Sequence, residues 1–304
     1  MKSIEYKFEY IESCQMCGGK DFSFMGRRLD GSQRSANKAE SGVCLNVLKC
    51  NNCNLIFSNP LPIPLNIQDH YGVDPSKYWR EEYFNVEANY FKFELDQAIK
   101  LLNKESSAGL LSLDIGCGIG KCIKAMSNSG FDAYGIEPSK PFYEMAIEKN
   151  KIDASKVFNI AVEDLSPESL GKQFDFVTFG AVLEHLAHPK EALSKAASML
   201  KPGGILHAEI PFSDWFISKL VNMVFKIKGK PFVTNLSPMH SPYHLYEFGV
   251  ESFEKCAPEL GLEVAKVDHF VCDTYLPSPM SKMARSYMKS KNKGMQIAVW
   301  LRKL

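Results

Sequence analysis

The chain has 304 residues, of which 45% are hydrophobic and 23% are charged, and its formal net charge is +1. This composition predicts a soluble globular protein that consists of one large domain, or of one domain and a smaller module. It argues against a general nucleic-acid binder, which would be clearly basic, and no apolar run approaches the ~20 residues that span a bilayer.

The N-terminal residues contain no apolar segment of the kind that a signal peptide needs. Nine cysteines in such a chain indicate thiols or metal ligands rather than disulfides, because disulfides persist in oxidising compartments. We therefore predict a cytoplasmic protein.

Two C-x2-C pairs, Cys14 with Cys17 and Cys50 with Cys53, lie in the first part of the chain. Each pair can present two thiolates from one tight turn, and two such turns complete a tetrahedral zinc site. The spacer, residues 18–49, is longer than the ~15–20 residues typical of such pairs, so the chain must double back between them. We predict a structural zinc in a small zinc-ribbon-like module, with free or redox-active thiols as the alternative.

A proline-rich connector follows, over residues 60–79. From about residue 84, apolar residues recur at three- and four-residue steps, which indicates a helix. We therefore predict that residues 1–83 form the module and its linker, and that residues 84–304 form the main domain.

Short apolar runs alternate with helical patterns in the main domain. The runs that predict strands lie at 109–116, 131–139, 157–165, 174–182 and 203–211, with two more at 261–271 and 295–303. Strands that alternate with helices predict an α/β fold, in which a mainly parallel sheet carries helices on both faces.

The segment "LDIGCGIGK", residues 113–121, follows the first of these strands. Gly116, Gly118 and Gly120 allow a ligand to approach the backbone closely. A dinucleotide-binding loop has the spacing G-x-G-x-x-G, and Lys121 stands where its third glycine would be. The loop therefore predicts a ligand without a pyrophosphate and argues against an oxidoreductase, and a tight turn without a ligand is the alternative.

Three carboxylates lie where such a ligand would need them. Glu137 ends the second strand, where an acid can accept hydrogen bonds from both hydroxyls of a ribose. Asp164 follows the third strand and can accept from an adenine amino group, although a helix N-cap is the alternative for this residue. Asp114 stands two residues before the first glycine.

Here the chain resembles the class I S-adenosylmethionine (SAM) methyltransferases. The matching stretches are "LDIGCGIGK", "YGIEPS", "AVEDL", "FDFVTFGAVLEHLAHP" and "MLKPGGIL". The resemblance implies a Rossmann-like seven-stranded sheet whose last strand is antiparallel. It also implies that the SAM-binding residues are Asp114, Gly116, Gly118, Gly120, Glu137 and Asp164.

The order of a cysteine module and a SAM domain resembles the zinc-binding methyltransferases of bacterial sugar and polysaccharide pathways, including deoxysugar C-methyltransferases. Some ribosomal-RNA methyltransferases also carry an N-terminal zinc ribbon. Residues 1–80 hold ten Lys and Arg against eight Asp and Glu, which is a small surplus for a surface that follows phosphates. Nucleic acid is therefore the less favoured partner.

A hydroxyl acceptor needs a general base beside the methyl group, and histidine has a suitable pKa. His185 lies in the loop after the fourth strand, and in this family that loop borders the methyl group. His240 and His244 lie after the fifth strand together with Tyr243, where the family places acceptor-binding elements. We predict that the base is one of these four residues, and a structural hydrogen-bonding role is the alternative for each.

The predicted reaction is therefore methyl transfer from SAM to a sugar or a related polar small molecule, such as a nucleotide-linked or polysaccharide precursor. O-methylation is preferred. The alternatives are C-methylation of a deoxy-keto-sugar and methylation of RNA bound by the zinc ribbon.

Residues 212–246 are predicted to be an insertion on the acceptor side. No acid occurs from Trp215 to Tyr246, a segment that contains four lysines, and residues 282–293 hold five basic residues and no acid. These stretches favour an acceptor that carries phosphate, or peripheral contact with an anionic membrane. A solvated surface is the alternative.

Overall fold

The computed structural model describes residues 5–28, 45–66, 85, 87, 89–214, 216–233, 236–239, 244–271 and 276–304. The predicted boundary between the module and the main domain, at residues 83 and 84, lies outside them. The N-terminal part forms five short strands: β1 (Tyr6–Glu9), β2 (Phe22–Arg28), β3 (Asn46–Cys50), β4 (Ile56–Asn59) and β5 (Leu61–Pro64).

The main domain alternates strands with helices. Its first half contains α1 (Lys92–Leu101), β6 (Leu111–Ile115), α2 (Lys121–Ser129), β7 (Asp132–Ile136), α3 (Lys140–Glu148) and β8 (Val157–Phe158). Its second half contains α4 (Pro167–Leu170), β9 (Phe174–Gly180), α5 (Pro189–Met199), β10 (Leu200–Pro211), α6 (Phe216–Ile227), β11 (Phe232–Val233), β12 (Tyr246–Glu247), α7 (Val250–Cys256), β13 (Leu262–Phe270), α8 (Ser278–Ser290) and β14 (Gln296–Lys303).

The main sheet has seven strands in the order β13-β14-β10-β9-β6-β7-β8. Neighbours from β10 through β8 are parallel, whereas β14 runs antiparallel to both β10 and β13. This confirms the predicted mainly parallel seven-stranded sheet with an antiparallel last strand. The order reverses beside β6, and ligands of such sheets bind at the carboxyl ends of the strands at this reversal.

Helices cover both faces of this sheet. Neighbouring residues of β9 point to opposite sides, and Phe176 packs with α1 and α2 while Val177 packs with α5 and α7. A strand that is buried on both faces is nearly continuously apolar, as β9 is.

The third predicted strand, residues 157–165, is shorter than expected. β8 contains only Val157 and Phe158, and Val162–Asp164 forms a 3-10 turn. The Asn159 side chain donates to the carbonyl oxygen of Glu137 at 2.7 Å. This contact turns the chain towards the end of β7, so the apolar residues after Asn159 do not continue the strand.

The predicted N-terminal module and insertion share one sheet, which sequence analysis did not anticipate. Its five strands have the order β11-β2-β3-β4-β12, and β1 pairs with β5 in a separate ribbon. β11 and β12 lie between β10 and β13 in the chain, so this sheet pairs strands that are far apart in the sequence. The hydroxyl of Ser252 in α7 also donates to the carbonyl of Cys53 at 2.9 Å. Within the described part of the chain, no helix is long and apolar enough to cross a membrane.

Candidate active site

The glycine loop between β6 and α2 lies at the centre of the main sheet. Gly116, Gly118 and Gly120 have φ angles of 72°, 54° and 78°, which glycine adopts without the steric cost of a side chain. A Cβ on Gly116 would lie 2.7 Å from Cγ2 of Val182, in the turn after β9. The loop thus packs closely on the neighbouring strand end and exposes its backbone to a cleft.

Glu137 is fixed against this loop by two backbone donors. The Gly118 N–H donates to Oε2 at 2.8 Å, and the Ser139 N–H donates to Oε1 at 2.8 Å. A carboxylate has about four acceptor positions, so each oxygen can still accept another hydrogen bond. The side chain is 7% exposed, and its fixed orientation leaves these positions available to a ligand in the cleft.

Burial makes the carboxyl groups at this end of the cleft weak acids. It raises the pKa of Glu137 to about 7, although the N–H groups of Ser139 and Gly118 act in the opposite direction. Burial, assisted by the negative charge of Glu137, raises the pKa of Asp114 to about 8. A cationic ligand would reverse both shifts, because it stabilises the ionised carboxylates.

A cavity of about 770 Å³ extends from this loop to the turn after β9, within the ~300–1,000 Å³ range of small-molecule sites. Six carboxyl groups line it against one lysine and two histidines: Glu94, Asp114, Glu137, Glu163, Glu184 and Glu209, with Lys121, His185 and His244. The cavity is electronegative where these carboxyls are ionised, and a ligand that carries positive charge favours their ionised forms.

Two of the predicted SAM-binding residues are placed differently from the others. Gly120 ends the loop at the start of α2, where a Cβ would lie 3.0 Å from Ile152, and it is not part of the cavity lining. Asp164 is exposed and lies outside the lining, whereas its neighbour Glu163 is part of it.

A strained turn after β9 presents Glu184 and His185 to the same cavity. Ala181 has a φ of 54°, a left-handed conformation that is costly for a residue with a side chain. Its N–H donates to the carbonyl of Glu209 at 2.9 Å, which helps to hold it. The following 3-10 turn, Leu183–His185, then directs Glu184 and His185 towards the cavity.

His244 reaches the same place from the segment before β12. Its Nδ1 lies 2.8 Å from the hydroxyl of Ser237. The centroids of the His244 and His185 rings are 4.7 Å apart, in a T-shaped arrangement. The buried Glu247 accepts from the N–H of Ser237 at 2.8 Å. A chain of contacts from Glu247 through Ser237 therefore orients His244.

Comparison with known proteins identifies the family. The model of the methyltransferase domain family matches residues 71–267, which is more than half of the chain. The chain belongs to this family. The predicted enzyme class, methyltransferase, is therefore confirmed.

Relatives of this methyltransferase carry the name ubiquinone biosynthesis O-methyltransferase. The protein from Bordetella avium is 30% identical over 167 residues, which cover 52% of this chain and 64% of the relative. The protein from Dechloromonas aromatica is 36% identical over 115 residues, which cover 36% of this chain and 45% of the relative. The chain thus matches less than two thirds of the length of either relative.

Solved structures confirm the fold. Magnesium protoporphyrin IX methyltransferase from Synechocystis, with bound S-adenosylhomocysteine (SAH), superposes with a TM-score of 0.51 and 16% identity. The match covers 78% of this chain and 98% of that one. The same enzyme with bound SAM gives a TM-score of 0.50.

The four predicted zinc ligands of the methyltransferase converge. The Sγ atoms of Cys14 and Cys53 are 3.4 Å apart and those of Cys17 and Cys50 are 3.6 Å apart, and all four lie within 4.8 Å of one another. Tetrahedral zinc with Zn–S bonds of 2.3 Å would place its sulfurs about 3.8 Å apart, so the donor set fits zinc.

Two matching turns bring the cysteines together. Gly18 and Asn54, which follow the second cysteine of each pair, have φ angles of 69° and 63°. Their N–H groups donate to the carbonyls of Cys14 and Cys50, respectively, at 2.9 Å. Glycine and asparagine are the residues that adopt this conformation most readily.

Two predicted site residues, His240 and Tyr243, lie outside the described residues. Four carboxyl groups that line the cavity were not predicted as site residues: Glu94, Glu163, Glu184 and Glu209. Glu209 lies in the fifth predicted strand of the main sheet, near its carboxyl end, and that position was the signal that could have revealed it.

Proposed function

We propose that this methyltransferase transfers the methyl group of SAM to a hydroxyl group of a small molecule. One observation carries the proposal. A single cavity is lined both by a glycine loop with a fixed carboxylate and by a pair of histidines. The loop and its carboxylate suit a nucleoside, and the histidines suit the activation of a hydroxyl.

The residues present fit SAM. Glu137 would accept hydrogen bonds from both ribose hydroxyls, and the Gly116 region would let the cofactor lie against the backbone. Asp114 is nearly buried and would face the cationic methionine part, and Glu163 would lie near the adenine. The sulfonium of SAM makes its methyl carbon electrophilic, and the electronegative cavity favours this cation.

The acceptor hydroxyl would lie beside His185 and His244. The oxygen attacks the methyl carbon, the S–C bond breaks, and its electron pair stays on the sulfur of SAH. The hydroxyl proton must leave, and the histidine pair is placed to take it. C-methylation of a keto-sugar is the second reaction that the same base could support, by removing a proton next to the ketone.

We propose a sugar or related polar small molecule as the acceptor, with any phosphate outside the electronegative cavity and near the basic residues of α6 and α8. The names of the curated relatives raise a ubiquinone precursor as a second candidate. RNA is disfavoured because six carboxyl groups line the cavity and would repel a phosphate backbone.

We further propose that Cys14, Cys17, Cys50 and Cys53 bind one structural zinc. Four thiolates fill the coordination sphere, so the ion would stabilise the five-stranded sheet and leave no position for substrate. Thiolate ligands persist in a reducing compartment, which is consistent with the predicted cytoplasmic location.

SAM affinity should rise with pH. Near pH 6 the raised pKa values of Asp114 and Glu137, about 8 and about 7, keep both carboxyls protonated. SAM binding favours their ionised forms and must expel protons, so the association constant should rise by up to about tenfold per pH unit for each proton released. Isothermal titration calorimetry from pH 6 to 8, in two buffers of different ionisation enthalpy, measures the association constant and the number of protons released.

Asp114→Asn should make this pH dependence shallower, because one titrating group is lost. The exposed Glu148→Gln is the control and should behave like the wild type. No SAM binding at any pH would count against the proposed function, whereas binding without proton release would count only against the ionisation argument.

Two helices, α6 and α8, carry basic residues and exposed apolar side chains. On α6 the exposed apolar side chains are Leu220, Val221, Met223, Val224 and Ile227, and on α8 they are Met280, Met283 and Tyr287. The start of α6 and the end of α8 are linked through Asp214, which pairs with Lys219 of α6 and with Lys293 just after α8, the latter at 2.9 Å. We propose that the surface of these two helices binds an anionic membrane.

Vesicles test this surface directly. The protein should co-sediment with phosphatidylglycerol vesicles, less so at high salt, and not with phosphatidylcholine vesicles. The double variant Ile227→Ser and Met283→Ser should bind about tenfold more weakly or worse, because it removes two large apolar groups. Leu304→Ser, exposed at the C-terminus, is the control. Equal binding by all three proteins would refute the assignment of this surface.

A further inference from the structure

Three side chains at the acceptor end of the cavity form a group with the composition of a metal site. One ligand atom each from Glu184, His185 and His244 lies within 4.8 Å of the other two. Donors of a tetrahedral ion with bonds of about 2.1 Å would lie about 3.4 Å apart. The three side chains therefore need only small inward movements to meet on one ion.

Glu184 supplies an independent observation. The residue is completely buried, and neither of its carboxyl oxygens has a hydrogen-bond partner among the described residues. Buried carboxyl groups are otherwise paired, hydrogen-bonded or bound to metals. Glu209 lines the same cavity, and a bound cation would compensate the burial of a carboxylate at this position.

The ring of His244 is oriented by a hydrogen bond, as the rings of metal-binding histidines usually are. Its Nδ1 lies 2.8 Å from the Ser237 hydroxyl. A hydrogen bond to the second ring nitrogen fixes the tautomer and the ring orientation of a metal ligand. Ser237 is itself held by the carboxylate of Glu247 through its N–H, so the ring is oriented from outside the cluster.

We propose that Glu184, His185 and His244 bind a divalent first-row transition ion such as Zn²⁺, Fe²⁺ or Co²⁺. Two imidazoles and one carboxylate are a donor set that such ions prefer over Mg²⁺, and three protein ligands leave a position open. The inference rests on the proposed function of this cavity. It changes how the histidines act, since the acceptor hydroxyl would bind the ion, lose its proton to solvent and attack as an oxyanion.

Cobalt binding tests the site without relying on catalysis. The full chain is first given one equivalent of zinc, which the four thiolates bind most tightly, and Co²⁺ is then titrated by calorimetry and visible absorption. We expect one further equivalent per chain, with a spectrum that lacks thiolate-to-cobalt bands. Glu184→Gln, which keeps the shape of the side chain, should weaken Co²⁺ binding at least about 100-fold, and Ser237→Ala should weaken it about 10- to 100-fold.

Three control variants test whether the loss of Co²⁺ binding is specific to the proposed site. His188→Ala, Glu105→Gln and Ser198→Ala change exposed residues outside the cavity and should bind Co²⁺ like the wild type. SAM affinity and thermal unfolding are measured for every variant, and both should stay close to the wild type in Glu184→Gln. This shows that a loss of Co²⁺ binding does not come from misfolding.

The outcomes separate this inference from the proposed function. No Co²⁺ binding beyond the cysteine site, or equal binding by Glu184→Gln, would overturn the metal site. If methyl transfer from SAM still occurred, the histidine pair would then act directly as a base. A protein that binds Co²⁺ at these residues but neither binds SAM nor transfers methyl would retain the metal site and refute the proposed function.

Discussion

Replacing Glu137 with alanine is expected to weaken SAM binding by about 10² to 10⁴-fold. The carboxylate would accept both ribose hydroxyls, and each hydrogen bond to a charged group contributes about 1.5–3 kcal/mol. Glu137 also accepts hydrogen bonds from the N–H groups of Gly118 and Ser139, both at 2.8 Å. Its loss therefore also removes the hydrogen bond that orients Gly118 in the glycine loop. Calorimetry with SAM and with SAH measures the effect.

The fold should survive this change. Burial raises the pKa of Glu137 to about 7, and a group whose charged form is disfavoured by folding contributes little net stability. The thermal midpoint should therefore remain close to that of the wild type. Glu148→Ala, an exposed change on α3, is the control. Wild-type SAM affinity in Glu137→Ala would show that the nucleoside binds elsewhere.

Replacing Cys17 with serine is expected to remove the zinc and to disorder the five-stranded sheet. Structural zinc contributes about 10–16 kcal/mol to the folding of small zinc domains, and the four thiolates converge on one point between two turns. We expect the one zinc ion per chain that the cysteines hold to be lost. The thermal midpoint should fall by about 10 °C or more, since about 1 kcal/mol corresponds to 2–4 °C in a domain of this size.

Cys17→Ser should affect methyl transfer more strongly than SAM binding. β12 belongs to the same sheet and carries Glu247, which orients Ser237 and through it His244. Methyl transfer should therefore be lost, whereas SAM, which would bind at the glycine loop of the main sheet, should still bind. Lys20→Ser, an exposed neighbour of the cysteine turn, is the control. A Cys17→Ser protein with full zinc content and normal stability would contradict a structural zinc.

Local features of the sequence predicted the first half of the site. A glycine loop and the acid that ends the next strand are fixed by the βαβ unit itself, so Gly116, Gly118 and Glu137 lie together as the spacing indicated. The cysteine turns were also predictable, because each depends on four consecutive residues and a left-handed residue after them.

The acceptor end depends on long-range packing and was predicted only in part. His185 and His244 come from distant segments, and their meeting depends on a buried network through Ser237 and Glu247 that no local pattern reveals. β11 and β12 have only two residues each, which is too short for any periodicity. Their pairing with the N-terminal strands was invisible for that reason.

The most direct test follows the methyl group. Radiolabelled SAM and the purified protein are added to an extract of cells that lack this enzyme, and the label is traced into small molecules, lipid and nucleic acid. We predict label in small, phosphatase-sensitive material, and none when Glu137→Ala replaces the wild type. Label in nuclease-sensitive polymer would contradict the account and would mean that the zinc module presents RNA to the cavity.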